Sequence, residues 1–275
     1  MADETTGVRT GTNTGTGAAG VASCGTVTAL ELGLPERSAI PAAKGVLPKA
    51  LFAGKGPISN TLRQHLVHTV GSIHMLALLR PANAGVDAGT RVKEILMLGL
   101  RLNGVDTQVP TDVVEHIAAQ RPGAGVLFAC VRDGHEPGPG GASATTGTTA
   151  AAPDTGGTVE QCALAVRHKV PGRPGHTAQY AVHVSDWSDP RDLLLEITGG
   201  TMDEAWESLC SQAILGTADH ADLDARLIRR DRIVALHAEE AKLVRDHARA
   251  KNPAQRNEAF AKLGKVRAEL KRLVG

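Results

Sequence analysis

Arg91-Val-Lys-Glu-Ile-Leu-Met-Leu-Gly-Leu-Arg-Leu102, Thr111-Asp-Val-Val-Glu-His-Ile117 and Gly125-Val-Leu-Phe-Ala-Cys-Val-Arg132 follow one another within residues 91–132. The first and third are short apolar runs closed by turn pairs, Asn103-Gly104 and Asp133-Gly134. Short runs bounded in this way fit buried strands better than helices. The second begins after Pro110, and Val113, Val114, Ile117 and Ala118 share one side of a helix. A strand–helix–strand unit is therefore predicted as the core. It fixes a fold class and names no reaction.

Downstream, residues 159–168 and 178–185 resume strand character, and Tyr180, Val182 and Val184 alternate onto one face. With 125–132 they predict an antiparallel meander, and Trp187 follows in a turn over the sheet edge. Leu193–Ile197 reads as another short strand. Thr201 with Glu204 makes a capping box. The helix it opens carries Trp206, Leu209, Cys210, Ala213 and Ile214 on its apolar side and stops at Gly216.

Upstream, Leu47-Pro48-Lys49 cannot lie in a helix interior or a central strand, because proline lacks the N–H. Lys49 is read as a snorkelling lysine in a packed turn or as a fixed cation facing an anion. Ser59-Asn60 caps a predicted helix reaching Leu79, with Leu62, Leu66, Val70, Ile73 and Leu76 at helical spacing. His65 and His68 share a face of it. No acid is near in sequence, so they read as surface or half-buried histidines.

The C-terminal residues 222–251 and 254–273 are helical, and Asn252-Pro253 between them predicts an antiparallel hairpin. Leu223, Leu227, Val234, Ala241, Val244 and Ala248 approximate a heptad seam on the first helix. Ala259, Leu263, Val266, Leu270 and Leu273 do so on the second. Other faces carry Arg226, Arg229, Arg230, Arg232, Lys242, Arg245 and Arg249. Residues 221–275 hold 14 Lys and Arg against 8 Asp and Glu, a local net of +6, whereas the remainder is at −5. That asymmetry predicts a contact surface for nucleic acid or an acidic partner on the hairpin.

Residues 1–28 and 134–158 are mostly Gly, Thr, Ala and Ser. They offer too little apolar surface to offset backbone ordering, so disorder is predicted and about 220 residues are left to fold. Aromatic residues are 2% of the chain, which argues against stacking platforms for single-stranded nucleic acid. The four cysteines, Cys24, Cys130, Cys162 and Cys210, form no Cys-x-x-Cys pair, which argues against a zinc ribbon. No signal peptide or long apolar run is present, and a soluble cytoplasmic protein is expected. No phosphate loop, nucleophile turn or His-Glu-x-x-His occurs. Glu94 lies in the first core strand, either facing solvent or presenting a carboxylate to a metal. A nuclease of the restriction type would add an acid-x-Lys on the next strand, and none follows.

The order of these features resembles a bacterial domain-of-unknown-function family, numbered 4391. The residues that carry the resemblance are Leu47-Pro48-Lys49, Val92–Ile95, Val126–Phe128, Gln212–Ile214, Gln255–Asn257 and Glu269-Leu270. It covers roughly residues 30–273 without the loop 134–158. The resemblance implies company with helicases and DNA methyltransferases in defence-type gene clusters, and no established catalytic residues. Lys49, Glu94 and Gln212 match the family pattern and become candidate binding residues. The low aromatic content and the long insertion depart from it.

These readings converge on an α/β (α+β) protein with a small mixed sheet, flanking helices and a basic helical hairpin. The leading expectation is a non-enzymatic accessory subunit of a DNA-directed, anti-phage system. It would bind DNA or a helicase or methyltransferase partner through the hairpin, without cofactor, metal or membrane. A metal-dependent nuclease using Glu94 and a homodimer through the hairpin are the alternatives.

Overall fold

The computed structural model describes residues 20–53, 58–135, 157–170, 178–250 and 252–274. Six strands form one mixed sheet in sequential order: β3 (Val46–Leu47), β4 (Val70–Leu79), β5 (Glu94–Val105), β6 (Ala124–His135), β7 (Thr158–Val170) and β8 (Gln179–Val184). A separate two-stranded hairpin, β1 (Ser23–Cys24) with β2 (Val27–Thr28), precedes them. The short helices α1 (Ala42–Gly45), α2 (Ala50–Ala53), α3 (Asn60–Gln64) and α4 (Pro81–Ala84) occupy the N-terminal half. The longer ones are α5 (Thr111–Ala119), α6 (Met202–Leu215), α7 (Leu223–Arg249) and α8 (Pro253–Val274).

The predicted core unit is present as β5–α5–β6. β5 and β6 pair in parallel, from Glu94 with Ala124 to Arg101 with Val131, and α5 makes the crossover. Both strands are buried on both faces, which is why they read as unbroken apolar runs. On one face Leu98, Leu100, Val126 and Phe128 meet Val113, Val114 and Ile117 of α5. On the other, Met97, Leu127 and Ala129 meet Ala205, Leu209 and Cys210 of α6. Gly125 is required there: a Cβ on it would lie 2.4 Å from Cε3 of Trp206. β6, β7 and β8 form the predicted antiparallel meander.

Four expectations are corrected. The helix predicted from Asn60 to Leu79 is helical only to Thr69, through α3 and a π-type turn His65–Thr69. Its second half is β4, antiparallel to β5. Bulges between Val70 and Ser72 and between Met75 and Ala77 each insert a residue. They leave Val70 and Ile73 buried on one face and Leu76 and Leu79 on the other, each pair three apart, which imitates a helical period on a strand buried on both faces. The strand predicted at 193–197 joins no ladder; the chain there is extended, with Leu195 N–H donating to Leu32 O at 2.9 Å.

The N-terminal tail ends earlier than residue 28. Ala22, Cys24 and Val27 are buried against the sheet, so a few small apolar residues sufficed where composition argued against packing. Of the insertion predicted to be disordered over 134–158, Gly134 and His135 belong to β6 and Thr158 to β7, and residues 1–19 and 136–156 lie outside the described residues.

The seam of α7 also differs. Leu223 and Leu227 are buried against the sheet domain, whereas Leu236 and Leu243 pack on Leu263, Val266 and Leu270 of α8. Nine residues separate Leu227 from Leu236, about two and a half turns, so the two halves of α7 bury opposite faces. Val234, Val244, Ala241 and Ala248 are exposed instead. The seam predicted on α8 holds, with Ala259, Leu263, Val266 and Leu270 buried.

Candidate functional site

The hairpin cations divide into two groups. At its base, beside the sheet domain, Arg226 pairs with Asp219 at 3.2 Å. Arg229 donates to the carbonyl of Leu273, near the end of α8. Arg230 reaches Asp231 at 3.1 Å, the carbonyl of Ile214 at 3.2 Å and His183 Nδ1 at 3.0 Å. Arg232 crosses to Glu269 with two hydrogen bonds of 2.8 and 2.9 Å. That pairing raises the pKa of Arg232 and lowers that of Glu269. These four arginines hold the hairpin to the domain and its helices to each other.

Lys242, Arg245 and Arg249 stand in the distal half of α7. They are exposed, and their side chains have no hydrogen-bond or ion-pair partner among the described residues. Spacings of three and four residues place them along one side of the helix over about 10 Å.

The three candidates on the body separate. Lys49 Nζ donates to the carbonyls of Val67, at 3.3 Å, and Val70, at 2.5 Å. It thereby caps the π-type turn, the packed-turn reading of this residue. Gln212 is buried and pairs with the backbone of Glu196. Glu94 opens β5, and its Oε2 accepts from Arg80 Nε at 3.1 Å and Nη2 at 2.9 Å. Its register neighbour on β6 is Ala124, so no second acid stands beside it. Among the described residues no group of three or more His, Cys, Asp or Glu could hold a metal ion. All four thiols are free and buried, and burial pushes that of Cys24 up to about 12.

Sequence reading missed several polar clusters, because their members come from separate elements. His65 Nδ1 lies 2.8 Å from both carboxylate oxygens of Asp112 on α5. At the far ends of β5, β6 and β7, Arg101 bridges Asp133 at 2.6 Å and Glu160 at 3.1 Å. Glu160 also accepts from the backbone and hydroxyl of Thr26. On the opposite face Arg132, almost fully buried, stacks on Trp187 at 3.9 Å and donates twice to Gln161. Trp187 thus covers the sheet edge by way of an arginine. The one available signal was the run of polar residues at the end of each apolar strand.

A family model described as Domain of unknown function (DUF4391) matches residues 32–270. The chain belongs to this family. The DUF4391 match spans the sheet domain and nearly all of the hairpin, and every candidate residue lies within it. No curated protein and no solved structure matches significantly. Among the described residues of this DUF4391 member, no helix is long and apolar enough to cross a membrane.

Proposed function

We propose that this chain is a non-catalytic accessory subunit of a DNA-directed system and docks on DNA with the distal half of its hairpin. The observation that carries the reading is the contrast within α7. Four basal arginines are engaged by the protein itself, whereas Lys242, Arg245 and Arg249 lie exposed with no partner among the described residues. A linear run of cations suits phosphates, which are read by charge rather than by base. The association with helicases or methyltransferases, and with defence against phage, rests on the family resemblance. Duplex binding followed across a salt series tests the proposal. Replacing Lys242, Arg245 and Arg249 by Ala should reduce the slope of log affinity against log salt by about 2–3. An unchanged slope removes the arm from the interface.

A second reading, a homodimer through the hairpin, is favoured by the exposure of Val234, Ala241 and Ala248 at heptad spacing. Mass in solution decides it: Val234→Glu should convert a dimer to a monomer, and a wild-type monomer excludes it.

A further inference from the structure

A cavity of about 280 Å³ lies between the sheet and the layer formed by α2 and α5. Its body is apolar, built from Leu47, Phe52, Leu78, Leu96, Leu98 and Ile117, with few others. The pocket opens to solvent at one end, and its wall of Leu, Ile and Phe side chains favours an apolar occupant over water there. The volume lies just below the lower end of small-molecule sites, about 300 Å³.

Its polar side chains are those of Arg80, Glu94, Gln120 and Arg121. The strand register places these at one end of the cavity. Arg80 follows the last residue of β4, Glu94 is the first of β5, and Gln120 and Arg121 lie just before β6. Leu98 and Met75, paired across β5 and β4, sit further along the sheet. Arg80 and Glu94 compensate each other at 2.9 Å. The Arg121 side chain is exposed and has no charged or hydrogen-bond partner among the described residues. The mouth therefore carries one uncompensated guanidinium above an aliphatic chamber. The lid over it, α2, has four residues and is tied down where His116 Nε2 meets the carbonyl of Phe52 at 2.7 Å.

We infer that this cavity binds an amphipathic anion, an aliphatic chain ending in a carboxylate, with the chain against the leucines and the carboxylate on Arg121. A guanidinium matches a planar carboxylate in a forked geometry. The site is separate from the hairpin, and neither proposal depends on the other.

Calorimetric titration of the full chain with octanoate and with 1-octanol tests the inference. Octanoate should bind at least tenfold more tightly than the alcohol. Arg121→Ala, at an exposed position outside the core packing, should weaken octanoate at least tenfold and leave the alcohol unchanged. Leu78→Trp, which fills the chamber from a half-buried position, should weaken both by at least that factor. Wild-type protein that fails to bind millimolar octanoate overturns the inference. Equal affinity for acid and alcohol, or an Arg121→Ala variant with unaltered octanoate affinity, does so as well.

Discussion

The side-chain amide of Gln212 meets the backbone of Glu196 as a neighbouring strand would. Its Oε1 accepts from the Glu196 N–H at 2.8 Å, and its Nε2 donates to the Glu196 carbonyl at 2.8 Å. The extended segment around Leu195 has no strand beside it at this point, so one side chain from α6 satisfies both groups. Gln212→Leu should leave a backbone donor and acceptor without partners and lower stability by about 2–4 kcal/mol. Urea unfolding checks this. The same variant should bind DNA as the wild type does, and a selective loss of binding would move Gln212 to the interface.

Asp203, in the first turn of α6, ties that helix to the loop entering β5. Its carboxylate accepts from the N–H of Val92 at 2.7 Å, from the N–H and hydroxyl of Thr90 at 2.9 and 2.8 Å, and from the N–H of Arg91. Burial acts to raise its pKa, but these donors outweigh it and hold the group well below the ordinary 3.8. A lowered carboxylate pKa stabilises the fold fully above the ordinary value, and the contribution disappears as pH falls through the lowered one. Asp203→Asn should therefore cost about 3 kcal/mol at pH 7 and progressively less below pH 3.8. Urea midpoints of the two proteins at pH 7 and pH 2.5 give the comparison. A gap that widens at low pH contradicts the sign.

The two adjacent positions Leu243 and Val244 separate the observed hairpin seam from the one that heptad counting gives. Leu243 is 8% exposed against α8, and Val244 is 44% exposed. Leu243→Ala should cost about 2–4 kcal/mol through lost burial and a residual cavity. Val244→Ala should stay within about 0.5 kcal/mol. Hydrogen exchange along α7 and α8 measures both, and equal effects would mean that the helix is rotated from the position described.

What the sequence disclosed depended on whether a signal was local. The β5–α5–β6 core was legible because each piece carries its own period, although the pairs read as closing turns, Asn103-Gly104 and Asp133-Gly134, lie inside β5 and β6. β4 was not, because two bulges gave it the spacing of a helix. The first half of α7 docks on the domain and the second half on α8, and no single heptad register describes both. Arg226, Arg229, Arg230 and Arg232 were visible as charges, but their partners Asp219, Leu273 and Glu269 come from other stretches. The uncompensated part of the basic surface emerged only when those pairs were assembled. The cavity at Arg121 had no linear signature, since its walls come from β3, β4, β5, β6, α2 and α5.

Lys49 can be tested for its role in the π-type turn. Its ammonium is shared between the carbonyls of Val67 and Val70, where the turn gives way to β4. Hydrogen bonds from a charged donor to helix-end carbonyls satisfy acceptors that lack an intrahelical partner. Lys49→Met keeps the apolar stem but removes the donor, and should cost about 1–3 kcal/mol. Amide exchange should accelerate first in residues 65–72, on both sides of the junction. DNA affinity should change by less than twofold, because the residue is committed to the protein's own backbone. Were Lys49 a cation kept for an anionic partner, the variant would lose binding at unaltered stability, and the local exchange rates would not move.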